Sequence, residues 1–183
     1  MSELEFVNEI KAERLLLRRL RHQDAPEITK LISNWNVIQW LSNPPYPYQL
    51  SDAEAFIARV SSEQTTWNKV RLAIEIDGAL AGMVGHEPNA CGTLLGYWLG
   101  EPYWGKGYMT EAVGIFLKSY FEVADNNKIV SCVLRGNEAS LRIQRAFGFE
   151  TVGESELFCA PHGSLRPSIS THLSRENYEA KLR

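Results

Sequence analysis

The segment PYWGKGYMTEA, residues 102–112, places two glycines around one lysine directly before a long amphipathic pattern. Gly105 and Gly107 permit positive backbone φ angles and let a ligand approach the peptide N–H groups without meeting a Cβ atom. A helix that begins at such a turn directs unpaired N–H groups and the positive end of its dipole toward it. The segment therefore predicts a phosphate-binding turn, with a tight strand-to-helix connection that binds nothing as the alternative.

Apolar residues recur at helical spacing after Gly107, which predicts a long helix with one face buried on a sheet. The apolar positions of this predicted helix are Met109, Ala112, Val113, Phe116, Leu117, Tyr120, Phe121 and Ala124. The stretch TLLGYWLG, residues 93–100, precedes the turn and has the composition of a strand. Its inner glycine, Gly96, predicts a bulge or the close approach of another backbone.

The first half of the chain contains two further helix starts. RLLLRRL from Arg14 predicts a strand, and Asp24 with Pro26 predicts the cap and first turn of the helix that follows. Ser51 and Glu54 stand at capping-box spacing before a second helix. The intervening SNPPYPYQL predicts a stiff loop, because its three prolines cannot extend a helix.

Strand patterns dominate the remainder of the chain. Residues 70–76 alternate between apolar and polar side chains, and Asp77 with Gly78 predicts a hairpin into a further strand. KIVSCVLR predicts a buried strand, NEASLRIQRAFGF a short helix capped by Asn137, and RPSISTHLS a late strand. We therefore expect an α/β (α+β) fold, a mostly antiparallel sheet flanked by helices, in a single domain over residues 1–183.

The composition excludes several classes of protein. With 183 residues, 44% hydrophobic and 22% charged, the chain has the balance of a soluble globular domain. Its net charge of −3 argues against a nucleic-acid surface, and no apolar run reaches the roughly 20 residues of a membrane helix. The acidic start does not resemble a signal peptide, and Cys91, Cys132 and Cys159 lack metal-site spacing. We expect a cytoplasmic protein with reduced thiols and no metal, nucleic-acid or membrane partner.

Two familiar phosphate motifs do not fit the glycine turn. The chain has no GxxxxGK[ST], and Met109 and Thr110 occupy the positions where the third glycine of GxGxxG would fall. Three segments, in their order along the chain, instead resemble the GNAT superfamily of N-acetyltransferases, specifically its RimJ/RimL-like branch of ribosomal-protein alanine N-acetyltransferases. They are ERLLLRRLRHQDAPEI, LLGYWLGEPYWGKGYMTEAV and NEASLRIQRAFGFETVGE. The resemblance spans almost the whole chain and implies an acyl-CoA N-acyltransferase fold with splayed central strands and acetyl-CoA as co-substrate.

The resemblance also implies a cofactor site. The superfamily pattern [QR]xxGx[GA], whose amides hold the coenzyme A pyrophosphate, falls on residues 102–107, with Pro102 in place of Gln or Arg. The preceding strand should pair with the pantetheine arm, and Arg142 is a candidate for the phosphates or a solvated surface residue. The predicted cofactor-binding residues are Tyr97, Trp98, Leu99, Trp104, Gly105, Lys106, Gly107, Tyr108, Met109, Thr110, Asn137 and Arg142.

Acetyl transfer to an amine sets three chemical demands. The amine must be neutral, the carbonyl oxygen gains negative charge, and the thiolate is best protonated as it leaves. A backbone N–H of residues 97–99 is the expected oxyanion donor. The resemblance implies that Ser140 serves the thiol, with Asn137 on the pantetheine arm or an ordered water; a helix first-turn serine bonded to backbone is the alternative.

The general base is the least determined role. Glu154 and Glu156 are candidates on one face of a strand, and His86 is a candidate at the end of another. Exposed carboxylates and a loop histidine are the structural alternatives. An α-amine with a pKa near 8 can also lose its proton to water, in which case no dedicated base is required.

The resemblance leaves two functions open. The first is an acetyl-CoA-dependent N-acetyltransferase whose acceptor is a protein N-terminal α-amine or a small-molecule amine. The second is a catalytically silent acyl-CoA-binding regulatory module. Acceptor choice is expected in two loops, SNPPYPYQL and ELFCAPHGSLRPS. An extended polypeptide requires an open slot, whereas a polyamine or antibiotic favours acidic lining. The resemblance also allows for a homodimer.

Overall fold

The computed structural model describes residues 8–63, 68–124 and 128–182. Its strands are β1 (Glu9–Lys11), β2 (Leu16–Arg19), β3 (Val70–Ile76), β4 (Ala79–Asn89), β5 (Gly92–Leu99), β6 (Lys128–Leu134), β7 (Glu150–Cys159) and β8 (Ser164–Ser174). They form one eight-stranded sheet in the order β1-β2-β3-β4-β5-β6-β8-β7. Neighbouring strands are antiparallel except β5 and β6, which are parallel. The predicted mixed, mostly antiparallel sheet is confirmed.

Helices cover both faces of this sheet. They are α1 (Ala25–Ile32), α2 (Trp35–Ile38), α3 (Leu50–Glu63), α4 (Tyr108–Val123), α5 (Glu138–Ala146) and α6 (Arg175–Lys181). One core cluster joins the sheet to α4, and the other joins it to α1 and α3. None of the helices in the described ranges is long and apolar enough to cross a membrane.

The long helix α4 packs as its sequence pattern predicts. All eight of its predicted apolar positions are buried, among them the fully covered Phe116 and Tyr120. They lie against buried residues of the central strands, including Leu72, Val84 and Leu95. Complete burial of a side chain such as Phe116 contributes about 2 kcal/mol to folding. This face fixes the start of α4, and with it the glycine turn, against the sheet.

The two central strands separate from each other. In the described residues, β5 pairs with β6 at Thr93–Ile129 and Leu94–Val130, near the start of both strands. Further along, Tyr97 of β5 pairs with Val84 of β4, and Leu134 of β6 pairs with Ser168 of β8. A V-shaped gap therefore opens between β5 and β6, as the splayed-strand expectation requires.

The helix starts differ in detail from the sequence prediction. Asp24 does not cap α1 with its side chain; its carboxylate accepts hydrogen bonds from the Arg21 N–H and the buried Arg18 guanidinium. Pro26 does lie in the first turn. The predicted Ser51–Glu54 capping box is wrong because α3 begins earlier, at Leu50. There the carboxylate of Asp52 accepts a hydrogen bond from the Gln49 N–H at 2.8 Å.

Three turn predictions also have clear outcomes. Asp77 and Gly78 both have positive φ, at 50° and 79°, in the predicted β3–β4 hairpin. Gly96 makes no bulge, since it pairs in register with Gly85, and a Cβ built on Gly96 would meet no atom within 4 Å. The segment ELFCAPHGSLRPS is not a loop. Most of it forms the paired ends of β7 and β8, because Leu157 and Phe158 align with Arg166 and Leu165.

Candidate active site

The glycine turn has the backbone geometry that its sequence predicts. Gly105 and Gly107 have φ angles of 74° and 79°, in the left-handed region that favours glycine. Gly107 is the residue before the first turn of α4, and no side chain caps this helix start. A Cβ built on Gly105 would meet nothing within 4 Å. The amides at the start of α4 are therefore accessible at an open helix terminus.

The backbone of β5 presents alternate residues to the V-shaped gap. The Gly100 N–H donates to the Ala81 carbonyl of β4 at 2.8 Å. In contrast, the Leu95 carbonyl accepts from the Ser131 hydroxyl at 3.1 Å, and the Leu99 carbonyl accepts from the Trp104 indole at 2.7 Å. Because backbone groups alternate in direction along a strand, the N–H and C=O of Tyr97 point into the gap.

Tyr97 and Ser140 join the two sides of the gap. Their hydroxyl oxygens lie 2.9 Å apart, and the Tyr97 hydroxyl is also 3.3 Å from the Ser140 carbonyl oxygen. The Asn137 side chain accepts from the Ser140 N–H at 3.1 Å, which confirms the predicted cap of α5. Burial raises the pKa of Tyr97 to about 12, although its hydrogen bonds oppose the shift. Tyr97 therefore remains protonated at neutral pH.

Buried polar groups support this pair from behind. The Gln144 amide of α5 donates to the Ser131 hydroxyl at 2.9 Å, and its oxygen accepts from the Thr171 hydroxyl at 2.7 Å. Gln144, Ser131 and Thr171 are all buried. Their bonds tie α5, β6 and β8 together, so the Ser140 end of α5 is held in a fixed position next to β5.

A cavity of about 870 Å³ extends from the gap to the side of the sheet on which α3 and the proline-rich loop lie. One wall consists of Tyr97, Asn137 and Ser140 with the facing parts of β5 and β6. The other wall consists of α3 and the proline-rich loop, including Pro44, Pro45, Tyr48 and Phe56. Between these walls the paired residues Gly85 and Gly96 line the cavity, and neither brings a side chain to it. The loop SNPPYPYQL therefore lies at the cavity as predicted.

The tip of the β7–β8 hairpin contacts the proline-rich loop and the α2 region. The Ala160 N–H donates to the Ser42 carbonyl of the proline-rich loop at 2.8 Å. His162 lies 2.9 Å from the Gln39 carbonyl oxygen, and its ring contacts the ring of Trp35. These contacts join the C-terminal hairpin to the α2 region and to the loop that lines the cavity.

The charges at the cavity are balanced. Among its described lining residues, apart from the buried His86, the acidic and basic side chains are Asp52, Arg59, Arg71 and Glu87. Arg71 pairs with Glu87 at 2.7 Å, and Arg59 lies 3.3 Å from Glu63. The Asp52 carboxylate accepts the Gln49 N–H. These two basic and two acidic groups give the lining no excess of negative charge.

Of the predicted bases, the structure does not place His86 at a strand end. His86 lies inside β4 and is buried, with its ring edge-on to Phe116 and Tyr120. Burial, assisted by Arg71, lowers the pKa of His86 to about 4, so the imidazole is a weak base. Its position was missed because the β4 strand continues beyond the apolar stretch that predicted it.

The carboxylates of β7 are also separated from the cavity. Glu154 and Glu156 are exposed and are absent from the described cavity lining. Glu154 instead forms an ion pair with Arg135. Alternation along the strand directs Leu157 to the cavity and the two glutamates to the other face. The structure thus brings none of the three predicted bases to the Tyr97–Ser140 pair with an available basic group.

The other predicted cofactor residues have different surroundings. Trp98 packs against the α1–α3 core, while Trp104 is 42% exposed and bonds to the Leu99 carbonyl. The Lys106 ammonium donates to the Pro102 carbonyl at 3.0 Å, and Arg142 is exposed on α5. The Tyr97 hydroxyl was missed as a partner of Ser140, because the two residues meet only through the tertiary fold.

Splayed parallel strands beside a glycine turn at a helix start are the arrangement expected of an acyl-CoA-dependent transferase. The family described as "Acetyltransferase (GNAT) domain" matches residues 14–150, and the chain belongs to this family. It is an acetyl-CoA-dependent N-acetyltransferase, and relatives bearing N-acetyltransferase names support the same activity. The enzyme is thereby favoured over the catalytically silent module.

Several individual proteins resemble this chain. "Putative ribosomal N-acetyltransferase YdaF" of Bacillus subtilis (strain 168) is 26% identical over 149 residues, covering 78% of this chain and 81% of that protein. Solved structures that share the fold of this chain include the following two. Mycobacterium smegmatis RimJ, in complex with CoA-disulfide, has a TM-score of 0.76, 19% identity and coverages of 88% and 82%. Ribosomal-protein-S5-alanine acetyltransferase from Vibrio fischeri has a TM-score of 0.77, 17% identity and coverages of 93% and 98%.

Proposed function

We propose that this enzyme acetylates the N-terminal α-amine of a polypeptide. The observation that carries the proposal is the broad cavity with balanced charge that opens on the Tyr97–Ser140 pair. A polyamine or aminoglycoside site would present an excess of carboxylates, whereas an extended chain needs an open slot with a few polar groups. The names of YdaF and of the Vibrio fischeri enzyme, which refer to ribosomal proteins, support the same class of acceptor.

Acetyl-CoA binding in this proposal begins at the glycine turn. The amides of residues 105–110 hold the pyrophosphate, because an open helix start with positive dipole favours an anion. Lys106 and Arg142 supply positive charge near the coenzyme phosphates. The pantetheine arm then lies in the V-shaped gap, where the Tyr97 backbone groups can extend the β5 hydrogen-bond pattern and Asn137 contacts the arm. Trp98, Trp104, Tyr108, Met109 and Thr110 complete the surroundings of the coenzyme.

The chemistry takes place at the inner end of the gap. The neutral amine nitrogen attacks the thioester carbonyl carbon, and the oxyanion accepts a hydrogen bond from the backbone N–H of Tyr97 or Leu99. The nitrogen of the tetrahedral intermediate gives up its extra proton to water, the C–S bond breaks as the intermediate collapses, and the sulfur takes a proton. Ser140, bonded to the protonated Tyr97 hydroxyl, orients or protonates this sulfur. The products are the acetylated amine and coenzyme A with a free thiol.

Deprotonation of the acceptor goes through water in this proposal. An α-amine has a pKa near 8, so about one molecule in ten is already neutral at pH 7. The lysine ε-amine, with a pKa of about 10.4, would need a stronger base. Neither Glu154 nor Glu156 lines the cavity, and His86, which does line it, is buried with its pKa lowered to about 4. The surroundings of the site therefore suit an α-amine better than a lysine side chain.

We infer that residues 1–183 act as one catalytic domain, since strands from both ends of the described chain share one sheet. Cys91, Cys132 and Cys159 are free thiols, which fits the predicted cytoplasmic location. A homodimer stays a prediction.

Peptide acetylation with mass-spectrometric site mapping tests the proposal. The substrate panel contains a peptide with a free N-terminus and no lysine, the same peptide with a blocked N-terminus and one lysine, and spermidine. We expect acetylation of the free N-terminus alone. Acetylation of spermidine with no reaction of either peptide would contradict the polypeptide acceptor.

Calorimetric titration with acetyl-CoA tests the cofactor turn separately. Gly105→Glu places a carboxylate where the pyrophosphate should lie, so binding should be lost while the circular dichroism spectrum is retained. Lys30→Ala is the control, because Lys30 is exposed on α1 and pairs with Glu27. Unchanged affinity in Gly105→Glu would mean that the coenzyme phosphates bind elsewhere.

A further inference from the structure

Arg14 contacts the glycine turn from a distant part of the sequence. Its backbone N–H and its Nε donate to the two carboxylate oxygens of Glu111, at 2.8 and 2.7 Å. Its Nη1 donates to the Lys106 carbonyl oxygen at 2.9 Å. Arg14 lies just before β2, whereas Lys106 lies between the two glycines of the turn. One guanidinium therefore joins the turn to the first turn of α4.

The same guanidinium packs against the neighbouring residues of the turn. Its Cζ lies 4.9 Å from the centre of the Tyr108 ring, in cation–π geometry. A Cβ built on Gly107 would lie 3.3 Å from its Nη2. Arg14 thus contacts Lys106 and Tyr108, the residues on either side of Gly107 that lead the chain into α4. A planar guanidinium can satisfy these partners together because its donors have a fixed geometry.

Glu111 gives this contact an electrostatic consequence. Its side chain is only 17% exposed and belongs to the first turn of α4, close to the predicted pyrophosphate position. A carboxylate there interacts favourably with the positive end of the helix dipole, but it repels a second anion at the same helix start. Arg14 compensates this carboxylate, because its guanidinium Nε pairs with one oxygen while its backbone N–H donates to the other.

We infer that Arg14 is a positioning residue for acetyl-CoA, which holds the glycine turn in its anion-binding form and neutralises Glu111. The inference rests on the proposed pyrophosphate site. Arg14 acts through the turn and through Glu111, and it needs no contact with the coenzyme. Its effect should therefore depend on the phosphate-containing part of the donor and leave the thioester end unaffected.

Steady-state kinetics with two donors tests this role. In Arg14→Ala, we expect the KM for acetyl-CoA to rise on the order of tenfold with kcat changed less than about twofold. With S-acetyl-pantetheine, which lacks the pyrophosphate, kcat/KM should equal that of the wild type. Arg21→Ala is the matched control, because Arg21 is 58% exposed and pairs with a carboxylate, Glu75, that is 17% exposed. It should retain the wild-type KM.

The double variant Arg14→Ala/Glu111→Gln separates charge compensation from loss of folding. Removal of the uncompensated carboxylate should lower the KM for acetyl-CoA by about threefold relative to Arg14→Ala alone. A purely structural role predicts that the second substitution leaves KM unchanged or raises it. Arg14→Lys should rescue only part of the affinity, because one ammonium cannot contact Glu111 and Lys106 as the guanidinium fork does.

The outcomes distinguish failure of this inference from failure of the proposed cofactor site. If Gly105→Glu abolishes acetyl-CoA binding while Arg14→Ala leaves it unchanged, the pyrophosphate site stands and the role of Arg14 is wrong. If Gly105→Glu has no effect, the cofactor site itself is wrong. Equal loss of kcat/KM with both donors in Arg14→Ala would also overturn the positioning role.

Discussion

The hydroxyl oxygens of Tyr97 and Ser140 lie 2.9 Å apart, at the place where β5 and α5 approach each other across the gap. Each hydroxyl alone is a weak acid. Burial raises the pKa of Tyr97 to about 12, so its proton remains available for a hydrogen bond at neutral pH. In the proposed mechanism, the protonated Tyr97 donates to Ser140, which frees the serine proton for the departing sulfur. We therefore expect the pair to act as one unit.

Substitution of either hydroxyl should reduce the chemical step. We expect Ser140→Ala and Tyr97→Phe each to lower kcat about tenfold to a hundredfold, with the KM for acetyl-CoA changed less than about threefold. Because the two groups form one chain, the double variant should lose little more than the worse single variant. Steady-state kinetics with saturating acceptor measures these effects. Multiplication of the two single losses would show that the hydroxyls act independently.

Activity should follow the ionisation of the acceptor amine. For a peptide with an N-terminal pKa near 8, kcat/KM should rise about tenfold per pH unit between pH 6 and 7.5 and level off above pH 8. The buried His86, with its pKa of about 4, does not titrate in this range. The test is a pH–rate profile on two peptides whose α-amine pKa values differ. A profile that does not move with the acceptor would indicate a base on the enzyme.

The left-handed conformation of Gly107 should matter for both folding and binding. Gly107→Ala should lower the free energy of unfolding by about 1 kcal/mol, because alanine is strained at a φ of 79°. Its methyl group would also press on Arg14, since the built Cβ lies 3.3 Å from Nη2. We therefore expect a higher KM for acetyl-CoA as well.

Gly163→Ala is the matched control for this backbone effect. Gly163 has a φ of 61° at the β7–β8 turn, and a Cβ there would meet no atom within 4 Å. Thermal unfolding should show a comparable loss of stability, and kinetics should show an unchanged KM for acetyl-CoA. Equal KM values in the two variants would mean that Gly107 has no special role in binding.

The buried His86 should make the fold sensitive to moderate acid. Its folded-state pKa of about 4 lies below the unfolded value of 6.5, so the unfolded chain binds the proton more readily. The neutral His86 therefore contributes to the free energy of unfolding above pH 6.5, and this contribution is lost as the pH falls toward 4. Between pH 7 and pH 5 the loss should be about 2 kcal/mol.

Urea unfolding at the two pH values measures this difference. In His86→Leu the pH-dependent loss should shrink to a small fraction of the wild-type loss, whatever the stability at pH 7. His172→Leu is a control, because that side chain is 26% exposed and lies near Glu150. An equally steep loss in His86→Leu would assign the acid sensitivity to other groups.

Several helices, strands and turns of this protein could be predicted from local sequence patterns. The amphipathic spacing of α4, the alternation of β3 and the positive φ required at Asp77–Gly78 are properties of adjacent residues, so they could be predicted. The glycine turn belongs to the same class. Even the cap of α5 by Asn137 was evident, because the cap and its bonded Ser140 N–H are three residues apart.

The tertiary structure decided which distant groups meet. Asp24 does stand directly before α1 as predicted, but its carboxylate is bonded to Arg18 and does not cap the helix. The Ser51–Glu54 capping pair was mispredicted, because α3 begins earlier and Asp52 takes that role. Tyr97 reaches Ser140, and Arg14 reaches Glu111, over separations of 43 and 97 residues. Strand pairing brings such residues together only after the whole sheet has formed. The glycine turn could therefore be predicted from the order of residues, but the groups that orient it and the shape of the acceptor cavity could not.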